Sequence, residues 1–100
     1  MQAEGGQKGE DTMKVRNMTN DRTGKKVANQ FIIEDDDGYE YFQSYEAIII
    51  KAGNGETLLD ANKWDCSKTT GKYRNQFLGE TRKETEANIK SGEYTLANLN

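Results

Sequence analysis

The side chains best placed to do chemistry lie in one stretch, Trp64-Asp-Cys-Ser-Lys-Thr-Thr-Gly-Lys-Tyr-Arg-Asn-Gln-Phe-Leu. Here Lys68, Thr70, Lys72, Arg74 and Asn75 bring cations, a hydroxyl and an amide together at helical spacing, with Ser67 and Thr69 crowding the helix start. If Tyr73 and Phe77 turn inward, the spacing predicts that Lys68, Lys72, Arg74 and Asn75 fan over the outer surface. Free N–H groups at a helix start, flanked by hydroxyls and cations, suit a phosphate or carboxylate. The same residues also have a plain structural role, because Ser and Thr are good caps and lysines normally face water. The five residues are therefore a candidate surface for an anion or a partner, and not a catalytic set.

Other reactive groupings are weaker. The chain has no histidine, which removes the commonest general base and the Ser/His and Cys/His nucleophile pairs. Asp60 and Asp65 flank Trp64, but paired-carboxylate chemistry needs one acid in an apolar pocket, and turn acids beside a core tryptophan are the simpler reading. Cys66 lies near Lys63 and Lys68, a setting that suits a reactive thiol, but without a histidine partner it reads as a small buried residue. One cysteine makes no internal disulfide, and with no histidine a standard zinc site is excluded. The run Glu34-Asp-Asp-Asp37 fails as a calcium loop, since Ile33 and Ser44 occupy the positions that need acids, and it reads as a solvated hairpin tip. Gly53-Asn-Gly-Glu and Gly71-Lys-Tyr lack phosphate-loop spacing. No catalytic residue, metal or cofactor is expected, and the chain reads as non-enzymatic.

The elements that must carry these residues follow from patterning. Residues 1–12 hold no strong hydrophobe beyond Met1 and read as a disordered tail ahead of one small α+β domain over 13–100. Asn17 to Lys26 is dense in turn formers and reads as a loop. Gln30-Phe-Ile-Ile-Glu-Asp, Asp37-Gly38 and Tyr39-Glu-Tyr-Phe-Gln-Ser-Tyr then predict a hairpin with a two-residue turn, pairing Glu34 with Tyr41 and Ile32 with Gln43. Residues 44–52 fit a strand better than a helix because of three consecutive isoleucines, and Asn54-Gly55 supplies a second hairpin turn. A helix over Thr70–Leu78 stops at Gly79, and a second starts on the capping box Thr81/Glu84 and stops at Gly92. The expected fold is α+β: two consecutive β-hairpins forming an antiparallel sheet, with one or two short C-terminal helices packed on it. Its expected core is Phe31, Ile33, Tyr41, Ile48, Ile50, Leu58, Trp64, Tyr73, Phe77 and Leu78. Residues 94–99 either add an edge strand or lie across the core.

Composition bounds the function. At 100 residues, 33% hydrophobic and 31% charged, with a mean hydropathy of -1.02, the chain has no stretch apolar enough to span a membrane and no signal-peptide pattern. The net charge of -3 hides a division. Residues 31–60 carry eight carboxylates against Lys51, whereas residues 61–83 carry six cations against Asp65 and Glu80. An acidic hairpin region thus sits beside a basic helical one.

Three pieces of the chain carry a resemblance: Tyr41-Phe-Gln-Ser-Tyr, the stretch from Trp64 to Gly79, and the closing Leu96-Ala-Asn-Leu-Asn. Together they resemble small uncharacterised proteins of bacteriophages of gut bacteria. That pattern runs aromatic-x-Ser-Tyr, a hairpin, Tyr-Ser-x-Thr-Thr-x-Lys and Phe-Leu, and Cys66 stands where the tyrosine is usual. The resemblance covers residues 13 to 100 and implies a phage or prophage origin and a place in the cytoplasm of a bacterial host. It brings no activity and no site residue. The expected function is a non-enzymatic binding protein acting on a host macromolecule, in one form a modulator of host defence, with a host protein as partner. The alternative is a nucleic-acid-binding domain that uses the basic 67–78 helix.

Overall fold

A computed structural model describes residues 13–100; the expected disordered tail, residues 1–12, lies outside the described residues. The architecture is α+β. Five strands follow one another as an antiparallel meander: β1 (Lys14–Thr19), β2 (Lys26–Glu34), β3 (Tyr39–Ser44), β4 (Ala47–Gly53) and β5 (Glu56–Asp60). Helices α1 (Lys68–Leu78) and α2 (Arg82–Ser91) then carry the chain to β6 (Thr95–Ala97), which joins the edge of the sheet parallel to β5. The sheet is therefore six-stranded and mixed, where two hairpins and an antiparallel sheet were expected. The added strands are short edges without an apolar run: of β1 only Met18 is buried, and β6 has three residues. Asn17 to Lys26 is accordingly only partly loop, with the turn confined to Asn20–Lys25.

The second hairpin turns at Asp37-Gly38 as expected but with a three-residue loop. Gly38 takes the left-handed position at φ 91°, and Asp35 N–H donates to the Tyr39 carbonyl at 3.1 Å. Glu34 therefore faces Glu40 and Ile33 faces Tyr41, one residue away from the predicted pairing. Such a shift decides which side chains share a face. The Asn54-Gly55 turn joins β4 to β5 as read, with φ values of 52° and 82°, the signature of the type I′ turn that matches strand twist.

Of the expected strand over 44–52, residues 47–52 are strand, whereas Ser44 ends β3 and Tyr45-Glu46 form the turn between β3 and β4; the three isoleucines divide between the two faces. A bulge between Phe42 and Gln43 gives β4 an extra residue, Ile49. Ile49 and Ile50 consequently both enter the helix-side core, fully buried, whereas Ile48 lies on the other face beside Ile33 and Tyr41. The tail secures the strand there: Ile48 N–H donates to Asn100 Oδ1 at 2.7 Å, and Asn100 Nδ2 donates to the Ile48 carbonyl at 2.9 Å.

The core consists of Met18, Phe42, Ile49, Ile50, Leu59 and Tyr73, with Trp64, Phe77, Leu78, Ile89 and Tyr94 packed around it. Phe42 and Phe77 stack at 5.9 Å between centroids, which seats α1 on β3. Of the expected core, Ile50 and Tyr73 are buried here, and Trp64, Phe77 and Leu78 border it. Ile33 is buried too, but on the opposite face of the sheet, where Phe31, Tyr41, Ile48 and Leu58 are only partly buried. Both helices are capped as the sequence indicates. Ser67 caps α1 by accepting from Thr70 N–H at 3.1 Å; Thr81 and Glu84 close the capping box on α2. Among the described residues, no helix is long and apolar enough to cross a membrane.

Candidate functional site

A groove of about 1130 Å3 runs between the first hairpin turn and α1. One wall is Asn20, Asp21 and Arg22. Asn20 Oδ1 shapes that turn by accepting from the N–H groups of Arg22 and Thr23, at 2.9 and 3.2 Å. The other wall is the exposed side of α1, with Lys68, Lys72, Asn75 and Gln76. Gln76 Nε2 donates to the Thr19 carbonyl at 2.7 Å and fixes the distance between the walls.

The floor is a buried cation. Arg74 is 1% exposed, a correction to its expected place on the outer surface. Its Nη1 donates to the Trp64 carbonyl at 2.7 Å and to Asp65 Oδ1 at 3.0 Å, and its Nη2 to Asn75 Oδ1 at 2.9 Å. Arg82 reaches the same acid from α2, with Nε 2.8 Å from Asp65 Oδ2. The two guanidinium carbons lie 5.2 and 5.5 Å from the Trp64 ring centroid, so both cations pack against the indole. Burial works against the Asp65 carboxylate, but the hydrogen bonds and charges of Arg82 and Arg74 overcome it and hold the carboxyl below its ordinary range. The sequence did contain the signal for Arg74: Thr70, Tyr73, Arg74 and Phe77 fall at the 0, 3, 4, 7 spacing of a single helix stripe.

Of the five candidate residues, Lys68, Lys72, Arg74 and Asn75 line this groove and Thr70 does not. Thr70 is 2% exposed, with its Oγ1 2.8 Å from Ser44 Oγ and 3.1 Å from Ser67 Oγ, so it joins α1 to β3. Cys66, expected to be buried, is instead exposed beside it at the turn ahead of α1, with its Sγ 3.7 Å from Thr70 Oγ1. Asp60 is buried and engaged: it accepts from Leu99 N–H at 2.8 Å, Asn100 Nδ2 at 3.1 Å and Asn62 N–H at 3.1 Å. Both acids beside Trp64 are thus occupied in holding the chain together. The acidic run around Asp35–Asp37 is a hairpin tip; Asp35 accepts from the N–H groups of Asp37 and Tyr39 and from the Tyr41 hydroxyl. Among the described residues no group of three or more Cys, Asp or Glu side chains is placed to hold a metal ion.

Sequence reasoning missed Arg22 and Arg82. Arg22 sits in a turn with no periodicity to orient it, and Arg82 belongs to a different helix, so only the folded chain places either on the groove. Electrostatically the groove is divided. Arg74 and Arg82 are committed to Asp65, whereas Arg22, Lys68 and Lys72 have no carboxylate within ion-pair distance among the described residues. What the arrangement offers is charge recognition of an anionic group, over a rigid base. No curated protein and no solved structure matches the chain. The model of the family of unknown function DUF8033 matches residues 13–94, and the chain belongs to that family.

Proposed function

We propose that this chain is a non-enzymatic binding protein that engages an acidic segment of a host protein through the groove between the first hairpin turn and α1. One observation carries the reading: Arg22, Lys68 and Lys72 converge on the groove from facing walls, unpaired among the described residues, above a base that Arg74 holds rigid. The resemblance to small bacteriophage proteins supports a phage or prophage origin, with action in the bacterial cytoplasm and a role as a modulator of host defence. An acidic protein segment suits the groove better than a polyanionic strand. Asp21 lies on its rim, the whole chain is at -3, and Arg74 is turned away from the outer helix surface. The nucleic-acid alternative keeps the same cations and reads them as phosphate contacts.

A pull-down from host lysate with and without nuclease separates the two. The expected result is a protein band that survives nuclease and disappears when Arg22, Lys68 and Lys72 are all replaced by Glu. Material lost with nuclease would transfer the function to nucleic acid. Equal capture by the wild type and the triple variant would remove the groove from either role.

A further inference from the structure

The loop between β3 and β4 is Tyr45-Glu46, closed by the pairing of Ser44 with Ala47. Tyr45 takes the left-handed conformation there, at φ 57°. A bulky side chain is strained in that region, which glycine and asparagine enter at little cost. Two hydrogen bonds enforce it. Tyr45 N–H donates to the Asn29 carbonyl at 2.7 Å, and Gln43 Nε2 donates to the Tyr45 carbonyl at 2.7 Å. The fold does not use the ring for packing, since it is 52% exposed and stands outside the core. Backbone strain that the surroundings impose on an exposed aromatic points to a contact made with something else.

Beside this ring lies a cavity of about 440 Å3. Tyr45 and Glu46 line it on one side, and Lys63, Cys66 and Ser67, ahead of α1, on the other. At its bottom are Ser44 and Thr70, whose hydroxyls lie 2.8 Å apart, with Ser67 Oγ 3.1 Å from Thr70 Oγ1. The hydroxyls satisfy one another, and the full charges, Lys63 and Glu46, are of opposite sign. The cavity therefore suits an uncharged aromatic group. Ser67 lines both this cavity and the basic groove, so the two meet at the N-cap of α1.

We propose that the cavity beside Tyr45 takes an aromatic side chain of the same acidic segment that the groove binds. This rests on the groove reading and adds to it the partner's sequence chemistry, a run of carboxylates with an aromatic anchor next to it. The carboxylates meet Arg22, Lys68 and Lys72, and a chain that continues past Ser67 brings its next side chain to the Tyr45 ring. There the two rings pack offset or edge to face. An isolated aromatic ligand would fill the cavity without needing the groove.

Fluorescence anisotropy with labelled peptides tests the proposal. The probes are a run of about six Glu and Asp residues, the same run with one phenylalanine joined through glycine at either end, and a glycine-serine peptide with the phenylalanine alone. The wild type is expected to bind the acidic run about tenfold more tightly when it carries phenylalanine, the increment of one anchoring aromatic. Tyr45→Asn is expected to lose that tenfold while binding the plain run as before. It is also expected to melt no lower than the wild type, because asparagine accepts the left-handed conformation. Equal affinity of the wild type for both acidic peptides would overturn the proposal and leave the groove standing, whereas binding of neither would overturn both. If the glycine-serine peptide binds as tightly as the acidic one with phenylalanine, the cavity belongs to an independent ligand and the link to the groove is lost. A Tyr45→Asn variant that melts several degrees lower would show that the ring serves the fold, which also defeats the proposal.

Discussion

Arg74 and Lys72 are both cations on α1, yet they do opposite work. Lys72 is exposed on the groove wall, whereas Arg74 is buried, with hydrogen bonds to Trp64, Asp65 and Asn75. Arg74→Ala leaves the Trp64 carbonyl and one oxygen of Asp65 without their donor. Breaking a buried pair costs about 3–5 kcal/mol, reduced here to about 2–3 kcal/mol because Asp65 is one-third exposed and keeps Arg82. Lys72→Ala is expected to change stability by less than about 0.5 kcal/mol. Urea titrations of the two variants check the contrast, and an unchanged midpoint for Arg74→Ala would contradict it. The acids define a pH window. Asp60 and Asp65 are both held below their ordinary range in the folded chain: burial opposes this, but the hydrogen bonds from Leu99, Asn100, Asn62 and Lys63 at Asp60, and from Arg82 and Arg74 at Asp65, prevail. The unfolded chain therefore takes up more protons, and the stability these groups contribute is full above the unfolded value of about 3.9 and lost as pH falls through the folded one. Tyr94 sets the other limit. Burial and its bond to Glu80 push its hydroxyl up to about 12, so its contribution is full below about pH 10 and is lost as pH rises towards 12. Melting temperature is expected to fall at both ends, and Asp60→Asn to flatten the acid limb.

At the scale of elements, the bulge in β4 makes neighbouring isoleucines unequal. Ile49→Ala empties a fully buried site and is expected to cost about 3 kcal/mol, within the range for large-to-small core changes. Ile48→Ala, on the open face, is expected to cost about 1 kcal/mol. Equal midpoints in urea would show that the strand is not bulged at Ile49. Nothing in the local sequence announces this bulge, because its anchor is Asn100, fifty-two residues away in the chain. The elements that were legible are those written in local chemistry: the Asp37-Gly38 and Asn54-Gly55 turns, the strand over 47–53, and both capped helices. The ones that were not depend on partners. β1 has a single buried side chain and becomes a strand only by pairing with β2, and β6 exists by docking beside β5. The register slipped for a related reason: a three-residue loop and a two-residue loop share the Asp-Gly signal, and strand pairing decides between them. The candidate site was legible only in part on the same grounds, since Lys68 and Lys72 announce themselves on one helix but Arg22 arrives from a turn that β1 and β2 create.

The molecule as a whole is electrically polarised, and this governs which partners approach. The hairpin tips carry Asp35, Asp36, Asp37 and Glu56, while the groove between the first turn and α1 presents Arg22, Lys68 and Lys72. With extents of 50 × 33 × 20 Å, the molecule is several Debye lengths long at physiological salt, where that length is about 8 Å. Each end is therefore felt by a bound group more than by its opposite end, but a long polyanion lying along the molecule meets both. Duplex DNA seated in the groove gains three phosphate contacts, so log affinity should fall with log salt at a slope of about -2.7. Three contacts without base recognition, opposed by the acidic tips, give no measurable complex at about 0.15 M salt. A short acidic peptide avoids the penalty, because it is small enough to occupy the groove without reaching the tips. Fluorescence anisotropy with a labelled duplex and a labelled acidic peptide compares the two. The expected outcome is salt-sensitive peptide binding that Lys68→Glu and Lys72→Glu weaken together, and DNA binding confined to low salt. A DNA complex persisting at 0.15 M with a slope steeper than about -2.7 would mean that more cations reach phosphate than the groove supplies, and would make nucleic acid the partner.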